Sequence, residues 1–266
     1  MSIGSTALLL LLSFAASVGA HDLYIMPEKF VVSPGPLVVA LHDGDAFPDS
    51  EVPMAIQRLR DAIIWNQGHS VDLRNPRADG KRVLVDAVVP AVAGTLLLSG
   101  RTIPNFIQLN PKEFLAYLKE EGLQHVIDWR TQNNAADKPG RERYSKFFKS
   151  ILLSGKLDDG YRQIAGHTLE IVPSADPNIL KAGATLPLQV LFQGKPAADL
   201  QVEVAWAGSA SKEVKIAGRT DKDGRAIITL SRAGKYRLHA LRMEACAEPQ
   251  VADWESSWAS LTFEIR

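Results

Sequence analysis

The sequence of 266 residues holds a single cysteine, Cys246, so no internal disulfide can brace it and stability must come from core burial. A lone thiol can ligate a metal, but more often it is a small buried apolar residue, which is what we expect here. Net charge is missing too. Lys+Arg and Asp+Glu stand at 30 each, leaving no basic field to gather nucleic acid, and no nucleic-acid motif is present. After residue 20 there is no long apolar run, so no membrane span is expected in a processed chain. The signatures of catalysis are absent as well. There is no nucleophile elbow, no phosphate-cradling glycine loop and no HExxH, and Ser99-Gly100 lacks any flanking pattern. The expectation is a non-enzyme without an organic cofactor.

What is present begins at the N-terminus. Residues 5–20, "STALLLLLSFAASVGA", place an apolar run (Leu8–Leu12) before Val18-Gly19-Ala20, whose small residues suit a peptidase. This reads as a secretory signal peptide cut between Ala20 and His21, with a periplasmic or secreted product. The processed chain then starts with His21, whose freed amine and imidazole can chelate one ion together. An N-terminal amine has a pKa near ~8, so a metal can displace its proton at neutral pH. Imidazole suits Ni, Co, Cu and Zn.

Residues 21–110 read as short strands, "DLYIMP", "PLVVALHD", "DAIIWNQG", "RVLVDAVVP" and "GTLLLSG", separated by Gly, Pro, Asp and Asn. Asn110-Pro111-Lys112-Glu113 is a capped helix start. A second helix is expected over "LQHVIDWRTQ". A third is expected over "RERYSKFFKSILLSG", where Tyr144, Phe147, Phe148, Ile151 and Leu152 follow helical spacing and Arg141, Arg143, Lys146 and Lys149 form a solvated face. From residue 160 about seven alternating strands follow, the pattern of an immunoglobulin-like sandwich. "TDKDGRA", residues 220–226, reads as a plain hairpin turn. The expected architecture is mainly β: a signal peptide (1–20), an N-terminal β-sandwich-like domain (21–110), a helical insertion (111–158) and a C-terminal immunoglobulin-like β-sandwich (159–266).

Candidate ligands follow from this placement. His42, in His42-Asp43-Gly44-Asp45 at a strand end, is the second metal donor after His21, with Asp45 as a further donor or orienter of the ring. His167 reads as a strand entry, and His69 and His125 as surface or packing positions. Asp253-Trp254-Glu255 is acidic and aromatic and could contact a metal or a sugar, or simply pack over the sheet. A histidine-first β-sandwich also shares the outline of a copper brace in polysaccharide monooxygenases, without their other features.

The segments "AHDLYIMPEKF", "HDGDAFPDSE", "RERYSKFFKSIL", "LEIVPSADPNILKAGATLPLQVLFQGKP", "RTDKDGRA" and "DWESSWASLTFE" resemble a family of exported bacterial proteins of unknown function. Its members have been labelled as the periplasmic component of a nickel or cobalt uptake system. The resemblance implies a processed start at His-Asp, kept here, and a membrane transporter component as partner. Members often carry a His-Met pair on the penultimate strand. Here that position is Arg242-Met243, with His239 three residues earlier on the opposite face. The function expected is an exported, non-catalytic metal-binding protein; the alternative is a structural or carbohydrate- or protein-interaction module without metal.

Overall fold

The computed structural model describes residues 21–207 and 212–266, with the side chains of residues 212–214 excepted. The signal-peptide reading lies outside the described residues. Strands form three sheets. The first runs β1 (Leu23–Pro27), β2 (Gly35–Asp43), β6 (Arg82–Val89) and β5 (Arg74–Asp79), all antiparallel. The second has nine strands. Its order is β14 (Lys212–Arg219), β13 (Gln201–Ala207), β16 (Gly234–Ala245), β17 (Trp254–Ile265), β9 (Gly140–Ser154), β7 (Gly94–Thr102), β3 (Leu59–Asn66) and β4 (His69–Asp72), with β8 (Asn105–Leu109) beside β9. The third joins β10 (Leu169–Pro173), β11 (Ala184–Phe192), β15 (Arg225–Leu230) and the short β12 (Lys195–Pro196).

The nine-stranded sheet is common to both halves of the chain, and each smaller sheet covers part of it. Leu41 and Val85 of the first sheet share a core with Leu96, Leu98, Phe148 and Leu152. Ile171, Leu188 and Ile228 of the third share another with Phe147, Ile151, Leu261 and Phe263. The expected mainly β architecture holds. In the C-terminal half β10, β11 and β15 face β17, β16, β13 and β14, the two-sheet arrangement of an immunoglobulin-like sandwich.

Two helices form as expected, α1 (Pro111–Glu120) and α2 (Gln124–Gln132). The Asn110 side chain accepts from the Glu113 amide at 2.9 Å, and Glu113 accepts in return from the Asn110 amide at 3.3 Å, closing a capping box ahead of Pro111. Phe114, Leu118 and Val126 bury against Tyr144, Met243, Trp254 and Trp258.

The third helix does not form. Residues 140–154 are the strand β9 at the centre of the large sheet. The reason lies in burial on both faces. Phe147 and Ile151 point into one core, Phe148 and Leu152 into the other. Adjacent apolar pairs four residues apart satisfy either a helical stripe or a doubly buried strand, and the second wins here. Nor is there a solvated basic face. Lys146 and Lys149 are buried, paired with Asp43 at 3.1 Å and Glu170 at 3.0 Å on opposite sides of the sheet. Arg141 and Arg143 stay partly exposed, on Asp253 and on Glu248 and Glu255 respectively. The turn at 220–226 is also not a hairpin, because β14 and β15 belong to different sheets. Asp221 holds it by accepting from the Asp223 and Arg225 amides, each at 2.9 Å. Cys246 is free and buried, as expected.

Candidate functional site

The chain enters the fold at His21-Asp22. Asp22 is buried, and its carboxylate meets Arg237 Nη2 at 2.7 Å and His239 Nδ1 at 2.7 Å, both from β16. Burial alone would raise the Asp22 carboxyl. The Arg237 and His239 cations overcome it and hold the group well below the usual carboxylate range. Burial likewise opposes charge on His239, but Asp22 and Glu121 outweigh it and lift the imidazole well above its ordinary value. His239 Nε2 reaches Glu121 at the end of α1 at 3.2 Å, so one protonated ring links β1 to the helices. Lys146 adds a second hold, donating to the His21 carbonyl and to Asp43. Further along β1, Ser260 and Thr262 donate to the Leu23 and Ile25 carbonyls.

These contacts leave the His21 side chain at the surface above an acidic loop. Its Nδ1 lies 2.9 Å from Asp45 Oδ2, and the Asp22 amide donates to Asp45 Oδ1 at 3.0 Å. Glu51 folds back under the same loop and accepts from the Asp45 and Ala46 amides at 2.6 and 2.9 Å. Those two bonds, the Ala46 one foremost, lower the Glu51 carboxyl. Gly44 makes the fold-back possible: a Cβ there would stand 2.8 Å from the Glu51 amide nitrogen. The outcome is a cluster in which ligand atoms of His21, Asp45 and Glu51 all lie within 4.8 Å of one another.

Two of the three expected donors, His21 and Asp45, therefore meet. His42 does not join them. It pairs with Tyr24 across β1 and β2, stacks on that ring at 5.1 Å and 4°, and is buried. Burial, with help from Arg82, pulls its pKa down to about 4, so the ring is neutral. Its neighbour Asp43 points the other way, to Lys146. Glu51 stands where the second imidazole was expected. The loop "HDGDAFPDSE" contains it, and a carboxylate six positions after Asp45 behind a glycine was the available signal. His167 is buried on Ser99 Oγ at 3.0 Å, with its pKa drawn down to about 4 by burial. His125 bonds the Met243 carbonyl, and His69 is exposed on β4. Asp253 pairs with Arg141, Glu255 with Arg143, and Trp254 packs beneath α2. His239 is turned inward to Asp22 and Glu121, occupied as an anchor.

Fold and cluster define a mainly β protein of packed sandwiches, with a histidine and two carboxylates gathered where the first strand begins. The chain belongs to a domain family of unknown function, DUF4198, whose model matches residues 18–244. No curated protein matches it in sequence. Among solved structures it is similar to a tandem-repeat segment from the extending region of a large adhesion protein, at 12% identity and TM-score 0.25, covering 92% of this chain and 49% of that one. It is also similar to a DUF4785 family protein from Legionella pneumophila, at 8% identity and TM-score 0.25, over 81% and 52%. The D0-D1 domain of intimin matches at 12% identity and TM-score 0.21, over 91% and 97%. The chain thus spans about half the length of the first two.

Proposed function

We propose that this chain is an exported, non-catalytic binding protein that holds a divalent transition-metal ion, nickel, cobalt, copper or zinc, at a processed N-terminus. The observation that supports it is the convergence of His21, Asp45 and Glu51 within 4.8 Å at the residue where cleavage would free an amine. That amine and the His21 ring would chelate the ion, with Asp45 and Glu51 as oxygen donors. Nδ1, the ring nitrogen nearer the backbone, already faces Asp45. The buried Asp22 anchor opposes the fraying that weakens most chain termini. The ion is cargo in this reading, in metal uptake or handling, and a membrane transporter component is the partner that would receive it.

The test is thermal melting of protein starting at His21, with each of the four ions in turn. A ligand at about 100 times its Kd adds ~2.7 kcal/mol. For a domain of this size that is a rise of roughly 5–10 °C. One residue added before His21, or Asp45→Ala with Glu51→Ala, should abolish the rise without lowering the metal-free Tm by a similar amount. No shift with any of the four ions overturns the proposal.

A further inference from the structure

Between α2 and the segment leading into β17 lies a cavity of about 310 Å³, walled in part by Trp129, Arg130, Asn133, Cys246, Asp253 and Trp254. It shares no residue with the His21 cluster. Its size falls at the small end of the ~300–1,000 Å³ range of pockets that hold small molecules.

Two features set its chemistry. The first is aromatic. Trp129 is 49% exposed, on a helix whose neighbouring Val126 and Arg130 are buried. The buried Trp254 meets it edge to face, with ring centroids 5.2 Å apart at 90°, which fixes how Trp129 stands. The second is a set of polar groups pinned by other partners. Asp253 is held by the Arg141 amide and guanidinium, and those bonds outweigh burial and keep its carboxyl low, hence ionised. Asn133 donates its amide to the Trp129 carbonyl at 2.8 Å, which leaves its side-chain oxygen to accept. Arg130 lies 4.8 Å over the Phe114 ring and donates from Nη2 to the Lys138 carbonyl, with further N–H donors in its fork.

We propose that this cavity binds a pyranose sugar, with the C–H face of the ring on Trp129 and its hydroxyls on Asp253, Asn133 and Arg130. A pyranose has an apolar face and a rim of hydroxyls, each both donor and acceptor. The cavity offers one aromatic surface beside acceptors and a donor, which matches that rim. The alternatives fit worse. A wholly apolar ligand would cover the remaining acceptor and donor capacity of these groups and offer nothing in return. A cation would meet Arg130, and a simple anion would meet Asp253.

The test is isothermal titration calorimetry of the full processed chain with glucose, galactose, mannose and N-acetylglucosamine, together with co-sedimentation on insoluble cellulose and chitin. At least one probe should bind saturably. Trp129→Ala should weaken it about tenfold or more, as loss of a stacked ring implies, and Trp129→Phe should restore part of the affinity. Trp129→Ala gives up its edge-to-face pair with Trp254 and should lower the Tm modestly while leaving the chain folded at 25 °C, which circular dichroism at that temperature checks, so loss of binding is separable from unfolding. Asp253→Asn supplies a second variant that leaves the aromatic wall intact. No saturable binding to any of these probes, or binding indifferent to Trp129→Ala, overturns the proposal.

Discussion

Asp22→Ala removes one carboxylate from a place where two cations depend on it. Arg237 and His239 are 1% and 2% exposed, so neither can turn to water when the carboxylate goes. Among the described residues Arg237 then keeps its bond to the Gly44 carbonyl, at 3.0 Å, and the Tyr24 and Phe47 rings, neither of which is a counter-charge, and its Nε is already buried without a hydrogen-bond partner. His239 keeps Glu121, whose own carboxyl is pushed up by burial and is a poorer counter-charge. Breaking a buried ion pair from one side costs about 3–5 kcal/mol. For a domain of this length that corresponds to a Tm lower by roughly 6–20 °C. Asp22→Asn keeps the shape and one acceptor oxygen and should lose less. The assay is urea unfolding of protein starting at His21, followed by circular dichroism at pH 7 without metal, for wild type and both variants. A loss below about 1 kcal/mol for Asp22→Ala would refute the idea that these charges are desolvated and mutually dependent. The same variant should weaken metal binding even under conditions where it stays folded, because His21 is then held only by Lys146 and the Asp45 loop.

Glu142 makes the stability pH-dependent. It lies beneath α1 with Tyr117 and Ser256 on one oxygen and, among the described residues, no hydrogen-bond partner on the other, and burial outweighs those bonds to push its carboxyl from 4.5 up to about 7. Because the folded pKa is the higher one, its contribution is fully present below about pH 4.5 and is lost as pH rises through about 7, a change of ~3 kcal/mol. Glu142→Gln should flatten that slope in urea unfolding between pH 5 and 8, and equal slopes for the two proteins would count against it. For Lys149 and Glu170, both 1% exposed, Lys149→Met alone should cost about 3–5 kcal/mol, while Lys149→Met with Glu170→Gln should recover part of it, because Gln carries no charge and keeps one oxygen for the Ala165 and Gly166 amides that Glu170 accepts from. Matching losses for the single and double variants in chemical denaturation would contradict this. Asn110→Ala should cost about 1 kcal/mol by opening the α1 capping box, measured the same way, and no loss would mean the cap is redundant.

How far the fold could be read in advance differs by region, for physical reasons. β11 and β15 alternate visibly, because each has one face in a core and one toward solvent, whereas β16 and β17 are buried on both faces over most of their length. α1 announced itself through Asn110, Pro111 and Glu113, a purely local signal. β9 was illegible for the opposite reason: its environment is supplied by other segments, by β17 more than a hundred residues later on one side and by the two smaller sheets above and below. The roles of Lys146 and Lys149 were hidden likewise, because their carboxylates come from other segments, Asp43 at 103 residues and Glu170 at 21. At the cluster, His21 and Asp45 were legible as donors. His42 was misplaced because the side-chain alternation of β2 sends it to Tyr24 instead, a matter of strand parity. Glu51 depends on the fold-back at Gly44, which no residue periodicity records.

The strand Trp254–Ile265 is stitched between an antiparallel neighbour from its own half and a parallel one laid down more than a hundred residues earlier. Without Trp254–Ile265 the nine-stranded sheet falls into two pieces, and cutting the polypeptide between β9 and β16 would leave each fragment with a raw edge. Completing the large sheet therefore takes a pairing across more than a hundred residues. Pairings so distant along the chain predict slower folding than a string of self-sufficient modules would show.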